Sequence, residues 1–547
     1  MIVSMKHLDL LCVAAEKDAT LEALRALGAV HLDLSTAQGA EVAGAKEDLA
    51  AAEKAVRLIQ KARGKNDSGA RVPTAVADVL ALAGKAEACK GASEELAREI
   101  ARFEPYGDFD PELARNLLAR GVDIRSVAEF PDPLPRKRLR ALQADAAALA
   151  AELEALRGKL AACDDAAILA AFPGLADRLA FAAAQELMAE QGAIAYVSGW
   201  IPAPKTEALA RAARTRGWGV LLRDPAADET PPTLIRPPAL FRPVKALFEG
   251  LGIAPAYREA DVSVPFMCYF SIFFAMLVGD GAYGLIFLAG TLLAWRKLPK
   301  AWSILLVVFS LATIGWGVLS NTWFGEPLPF LSALPSAAWL AGEGAAPGHE
   351  YDSMMLVCFT IAVTHLMIAR IWSGLSMLNS LTCLAQFGWA GIVLFMYLVT
   401  NTIVGIFPAI PPWGFCTFYA SLALVFLFSV PFKELGSRGI EICMLPLNIM
   451  SALGDIISYV RLFAVGLASV KVAQNFNAMA LDMDMPLWIK WLPVVLILFV
   501  GHALNLAMAG LSILVHAVRL NTLEFSNHKG ISWAGYAFNP FKKNTKE

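Results

Sequence analysis

Leu453-Gly454-Asp455-Ile456-Ile457-Ser458-Tyr459-Val460-Arg461-Leu462 lies inside an apolar segment that runs from Leu445 to Met479. A helix of that length rises about 51 Å against a membrane hydrocarbon core of about 30 Å, so the segment must lie steeply tilted. Arg461 then sits too far from either end for easy snorkelling. A charge at that depth costs from about 3 to well over 10 kcal/mol, depending on the reference state. So costly a residue marks function, and around it the chain reads as an α-helical membrane protein.

The last apolar segment, about Leu487 to Glu524, carries His502, Asn505, Ala509, Ser512, His516 and Arg519 at steps of three, four, three, four and three. That spacing draws one narrow stripe along one helix face. In the preceding segment Ser451, Asp455, Ser458 and Arg461 again fall mostly on one side. Two long helices with facing polar stripes make a protein-lined seam in lipid, the mark of an ion path. The residues expected to serve ion translocation are therefore Arg461, Arg519, His516, His502, Asn505, Ser512, Asp455 and Ser458. Plainer roles stay open for several of them. Arg461 can pair with Asp455, Arg519 can snorkel at a helix end, and the two histidines can bond between helices instead of relaying protons. Asp280 reads as a cap or pairing group at a helix break, His365 as packing and Arg370 as a helix-end residue.

The 547 residues are 57% hydrophobic with a formal net charge of -2, and both charge signs concentrate in the first half. From about Pro265 onward, apolar runs of membrane length repeat with short gaps. The near-zero balance, with no basic patch interleaved with aromatics, argues against nucleic acid. The eight cysteines are scattered, without CxxC or metal-ligand spacing, so neither a metal nor a cofactor is expected. The nearest approach to a phosphate loop, Gly39 to Lys46, lacks the Gly-Lys-Ser/Thr ending. If ATP is used, another chain hydrolyses it. The start lacks a secretory leader pattern, and the first half is expected to stay in the cytoplasm.

Along the chain, three domains are expected: 1–260, 261–525 and 526–547. The first begins with a strand-helix-strand unit to about residue 35, stopped by Gly28 before Val30–Leu34. Amphipathic stretches follow at about 40–64, 74–104 and 136–163. Leu142, Leu149, Leu153, Leu156 and Leu160 keep a heptad seam there, the pattern of a coiled-coil hairpin. A second small α/β unit spans Ala193 to Arg223, and a proline-rich connector leads to the membrane. In the membrane half, lysines and arginines assign loops to the cytoplasmic side. The block Val264–Trp295, interrupted by Gly279-Asp280-Gly281, must then cross twice, because Arg296-Lys297-Leu298-Pro299-Lys300 after it is basic. Spans follow at about 302–323, 353–375, 386–408, 414–432, 445–479 and 487–524, eight crossings in all. The loop Phe324–Asp352, with Glu326, Glu343, Glu350 and Asp352 but no lysine or arginine, is external. Lys433, Glu434 and Arg438 mark a cytoplasmic loop, Asp482 and Asp484 an external one, and Lys529, Lys542, Lys543 and Lys546 a basic cytoplasmic tail.

Taken in order, several motifs make the chain resemble subunit I of bacterial and archaeal V/A-type rotary ATPases, the counterpart of subunit a in vacuolar ATPases. They are Leu27-Gly28-Ala29-Val30-His31, Val197-Ser198-Gly199-Trp200-Ile201-Pro202, Pro255-Ala256-Tyr257-Arg258-Glu259 and Gly279-Asp280-Gly281-Ala282-Tyr283-Gly284. Asn321-Thr322-Trp323-Phe324-Gly325, the Arg461 motif and the run from Gly501-His502 through His516-Ala517-Val518-Arg519-Leu520 to Glu524-Phe525 complete the series. The resemblance implies the membrane stator of a rotary pump for H⁺ or Na⁺. It further implies two cytoplasmic lobes joined by a helical hairpin that docks peripheral-stalk subunits, and a membrane half facing a rotor ring of small proteolipid subunits with one carboxylate each. Implied partners also include a central-stalk cap subunit and, indirectly, the ATP-hydrolysing sector. By the same resemblance Arg461 matches the essential arginine of the penultimate helix, and Arg519 a second arginine on the last. Lys471, ten residues after Arg461, departs from the pattern. Snorkelling, lining an outer access path and altering ion choice are all open to it.

Other classes fit less well. A secondary transporter with an anion-clamping arginine would show an internal repeat and need no long soluble lever. A voltage sensor needs arginines every third residue, where Ser458 and Ala464 stand instead. A membrane-anchored scaffold would leave the polar stripes without purpose.

Overall fold

The computed structural model describes residues 2–63, 71–122, 134–332, 334–342, 346–429, 444–482 and 486–543. The loop residues Lys433, Glu434 and Arg438, and with them Glu343, Cys443, Asp484 and Lys546, lie outside the described residues. The chain forms two compact units, Met5–Asp224 with Asn539–Glu547, and Met1–Ser4 with Pro225–Phe538.

In the first unit, β1 (Met5–Val13) precedes α1 (Lys17–Leu27), which Gly28 ends in the left-handed conformation at φ 54. The helices α2 (Ala40–Arg63), α3 (Val76–Phe103), α4 (Pro111–Ala119), α5 (Leu139–Ala162) and α6 (Asp165–Leu187) follow. β2 (Ala189–Gln191), β3 (Ile194–Pro202), α7 (Thr206–Arg216) and β4 (Gly219–Arg223) complete the unit. Three of the helices coincide with the expected amphipathic stretches. In α5 the seam residues Leu142, Leu156 and Leu160 are buried, while Leu149 and Leu153 are half-buried.

The strands form one antiparallel sheet in the order β2-β3-β1-β4. The stretches read as two separate α/β units therefore meet in a single sheet, with Leu10 opposite both Val197 and Val220. The cause is the alternation of β1. Leu8, Leu10 and Cys12 are buried while Leu11 and Val13 are exposed, and a central strand with one apolar face needs a neighbour on each side. Val30–Leu34, expected as a strand, makes only an isolated bridge between His31 and Trp200. Its backbone is shared. The Val30 carbonyl accepts from Phe541 N at 2.7 Å, and His31 passes so close to Gly199 that a Cβ there would lie 2.6 Å from the His31 carbonyl oxygen.

The second unit is helical: α8 (Val244–Leu251), α9 (Ser263–Val278), α10 (Gly281–Ala294), α11 (Lys300–Ser320), α12 (Pro335–Leu340), α13 (Asp352–Ser376), α14 (Thr382–Val404) and α15 (Pro412–Phe428). Beyond these come α16 (Leu445–Ile457), α17 (Val460–Leu481), α18 (Leu487–Ser512), π-helical turns at Ile513–Ala517 and Leu520–Phe525, and α19 (Ser526–Lys529). Among the described residues six helices are long and apolar enough to cross a membrane, or seven if the bent pair α9–α10 counts as one span. One of the six is the alanine-rich α6, which buries Ile168, Ala183 and Ala184 in the other unit.

α9 and α10 meet at 117°, where Gly279 turns left-handed at φ 70 and Asp280 caps α10 through Ala282 N at 2.8 Å. Gly281 and Gly317 then bring α10 and α11 together, since a Cβ on Gly317 would stand 2.3 Å from the Gly281 backbone. Within this unit Ser532–Phe538, expected as plain tail, is hydrogen-bonded in place. Ser532 N donates to Glu259 Oε1 at 2.7 Å, Gly535 N to the Ala254 carbonyl at 3.2 Å, and Phe538 N to the Thr233 carbonyl at 3.0 Å.

Gly317→Val is expected to destabilise the protein by about 1–3 kcal/mol or more, because the added atoms meet backbone that cannot rotate away; a lowered melting temperature in detergent checks this. In the sheet unit, burial outweighs the Asn539 hydrogen bond and the Asp33 charge and holds the His31 imidazole below its usual range. The unfolded chain then takes up a proton first, so docking of Asn539–Phe541 weakens as pH falls from about 6.5. The exchange protection factor of Phe541 N, with the intrinsic pH dependence of exchange divided out, should fall over that window and stay flat in His31→Gln.

Candidate functional site

α16 and α17 follow one another along a single membrane-length span, Leu445–Leu481, whose hydrogen bonding changes in the middle. At Ser458–Tyr459 the ladder tightens, with Tyr459 N bonded to the Ile456 carbonyl and Leu462 N to the Tyr459 carbonyl at 3.1 and 3.0 Å. Arg461 follows this break and is half-buried. Its Nη2 donates to Ser458 Oγ at 2.9 Å, and Ser458 donates in turn to Glu524 Oε1 at 3.0 Å. Arg519 Nε lies 3.4 Å from the same oxygen. Arg461 Nη1, Glu524 Oε2 and His516 Nδ1 are buried and have no hydrogen-bond partner among the described residues. Buried polar groups are nearly always paired, so three unpaired ones along one seam single it out.

Arg461 makes no ion pair with Asp455. Asp455 Oδ2 instead accepts from His528 Nε2 at 2.9 Å, and Arg370 Nε donates to His528 Nδ1 at 2.9 Å. Because Nδ1 must accept there, the ring carries its proton on Nε2. Arg370 also reaches Gln386 at 3.2 Å and lies over the Trp389 ring. Asn448, Ser451, Asp455, Arg370 and His528 line a polar cavity of about 310 Å³. Beside the break, buried His365 bonds Tyr459 Oη through Nδ1 at 2.8 Å and stacks on Tyr269 and Phe525.

The upper part of the stripe on α18 is knitted shut. Asn505 donates to Tyr283 Oη at 3.0 Å and to the Ser469 carbonyl at 2.9 Å, and accepts from Ser469 Oγ at 3.0 Å. Tyr283 Oη also meets His502 Nδ1 at 2.7 Å. Asp280 Oδ2 accepts from Gly325 N at 2.7 Å, while Gln474 and Asn477 bind the carbonyls of Gly325 and Phe324. Ser512 is half-buried and makes no side-chain hydrogen bond among the described residues. The structure thus joins Arg461, Ser458 and Arg519 in one cluster, Asn505 and His502 in a second, and Asp455 in a third. Tyr283, Ser469, Glu524 and His528 were missed as site residues. Tyr283 and Glu524 had stood in quoted motifs, where a polar group in an apolar segment was the available signal.

Two open features flank the first cluster. A cavity of about 520 Å³ borders Leu462, Phe463, Gly466, Lys471 and Gln474 and reaches Glu350. Away from that cavity Gly454, Ile457, Ala464, Ala468 and Asn475 are exposed in helical register with Arg461. Gly454, Ala464 and Ala468 among them are small, and the neighbouring α18 with the turn after it exposes Leu496, Phe499, Leu504, Leu511 and Leu514. Small residues let another helix backbone approach closely in lipid.

The chain is 30% identical to "V-type ATP synthase subunit I 1" of Treponema pallidum, in an alignment covering 99% of this chain and 100% of that protein. It is 33% identical to "V-type ATP synthase subunit I" of Borreliella burgdorferi, over 64% of this chain and 60% of the relative. To "A-type ATP synthase subunit I" of Methanocaldococcus jannaschii it is 24% identical, over 64% of this chain and 55% of the relative. No family model matches.

Asn505→Ala strands buried groups on both Tyr283 and Ser469 and should cost about 1–3 kcal/mol. Ser512→Ala, with no bond to lose, should stay within about 0.5 kcal/mol of the native protein. Detergent melting curves of the two variants compare them directly.

Proposed function

The chain belongs to the V-type and A-type ATP synthase subunit I family, and on that premise we propose that it is the membrane stator of the rotary complex. In this reading it supplies the ion half-channels and the arginine that drives H⁺ or Na⁺ off a rotor-ring carboxylate. The observation that carries it is Arg461, half-buried, with an unpaired buried Nη1, on an exposed stripe that includes Gly454, Ala464 and Ala468.

A carboxylate among lipid-like surroundings has its pKa raised to about 8 or 9 and travels neutral, carrying its ion. An opposite charge at about 4 Å is worth roughly 4 kcal/mol at an effective dielectric of about 20, about three pKa units. Facing Arg461, the site releases its ion. Guanidinium keeps its own proton at any working pH, so it also blocks leakage between the two access paths, where a buried lysine would shift and fail.

The remaining residues serve the two paths. The cavity beside Leu462–Gln474 is the external one, with Lys471 and Glu350 on its wall, and the polar cavity at Asp455 the cytoplasmic one. Arg519 and His516 continue the seam, Ser458 orients Arg461, and Asn505, His502 and Ser512 line or brace its outer half. Eight crossings put both ends of the chain on the cytoplasmic side of the cell membrane, with the α9–α10 pair as two short crossings. The domain 1–260, with its single sheet and helical hairpin, docks peripheral-stalk subunits and the central-stalk cap; 261–525 meets the proteolipid ring; and 526–547 is the basic end. ATP is handled by other subunits.

Arg461→Lys is expected to abolish coupled ATP-driven ion transport in vesicles holding the purified complex while subunit composition stays native. A fully coupled variant would refute the role.

A further inference from the structure

We propose that Glu524 is a positioning residue that sets the charge of the seam, a role resting on the stator reading of Arg461. A serine hydroxyl has one proton. Since Ser458 accepts from Arg461, it must donate onward, and it donates to Glu524 Oε1. The same oxygen lies 3.4 Å from Arg519 Nε, so one carboxylate serves two guanidiniums. Glu524 is 6% exposed against 53% for Arg519, so it is screened least where its charge matters most. The cluster therefore presents a net charge of one, two cations less one anion.

That number matters for a passing acid. A net charge of one meets a single carboxylate and leaves the encounter neutral once the ion has gone. With two uncompensated cations the carboxylate would ionise readily and then be held, so release from the stator would limit turnover. With none it would keep its ion. Glu524 also keeps Oε2 buried and unpaired, as Arg461 keeps Nη1.

The test is a charge-compensation cycle in the intact complex, reconstituted in vesicles and assayed for ATP hydrolysis and ATP-driven ion uptake. Glu524→Gln keeps an acceptor for the Ser458 hydroxyl and removes only the charge; it should slow transport about tenfold. Arg519→Gln should slow it comparably. The double variant restores a net charge of one and should exceed the slower single by at least about fivefold, an interaction within the range of networked residues. A bracing role predicts the opposite, a double variant no better than the product of the two defects, and that outcome overturns the proposal. If Glu524→Gln fails to co-purify with the complex, Glu524→Asp decides. Transport within about threefold of native supports charge setting, and loss as deep as that of Arg519→Gln overturns it. Arg461→Lys in the same vesicles separates the two levels. Full coupling in that variant sinks the stator reading itself, whereas its loss beside an additive cycle sinks only the assignment of Glu524.

Discussion

A guanidinium that cannot shed its charge, held inside the apolar part of a membrane subunit, is the constraint around which this structure is arranged. Arginine is costly there because neither lipid nor a helix backbone replaces its water. The protein meets only part of the demand. One Nη2 proton goes to Ser458, and through that hydroxyl the charge is tied to buried Glu524. The break between α16 and α17 makes this possible, since a tightened turn brings the Ser458 hydroxyl, three residues back, onto the arginine. Nη1 stays buried and unpaired, on a span whose exposed flank includes Gly454, Ala464 and Ala468.

The contrast with the other half of the seam is instructive. Around Asn505 the amide and its neighbours are paired: Tyr283, Ser469 and His502 close a network that crosses three segments, and Asp280 spends both oxygens on backbone N–H groups. Satisfied buried networks rigidify. Here the network ties the α9–α10 bend and the middle of α17 to the last helix, so the unsatisfied cluster below it sits on a rigid frame. Precise placement of a charge requires such a frame.

Much of this was legible beforehand. The deep arginine, the polar stripe from His502 to Arg519, the helical stretches of the first half and the cap at Asp280 all follow from periodicity, from hydropathy and from the cost of charge in lipid. What periodicity does not carry is pairing across distance. β1 sits between β3 and β4, nearly two hundred residues downstream, because the register of Leu10 with Val197 and Val220 buries its apolar face. Val30–Leu34 looks like a strand in composition, yet its backbone is taken up by Phe541 and by the crossing at Gly199. Local pattern cannot anticipate a partner five hundred residues away.

The sequence by itself determined that this is a membrane chain with an intramembrane arginine and a facing polar helix, because burying charge is expensive whatever the fold. Which groups that arginine meets was decided by the tertiary structure alone. Five residues separate Arg519 from Glu524, a spacing that an α-helix would put on different faces. The π-helical turn Leu520–Phe525, with more residues per turn, brings them together. Likewise Asp455, six residues before Arg461 and so about 120° round the helix from it, is taken by His528. Helix phase depends on hydrogen bonds that packing selects, and packing is a property of the folded chain.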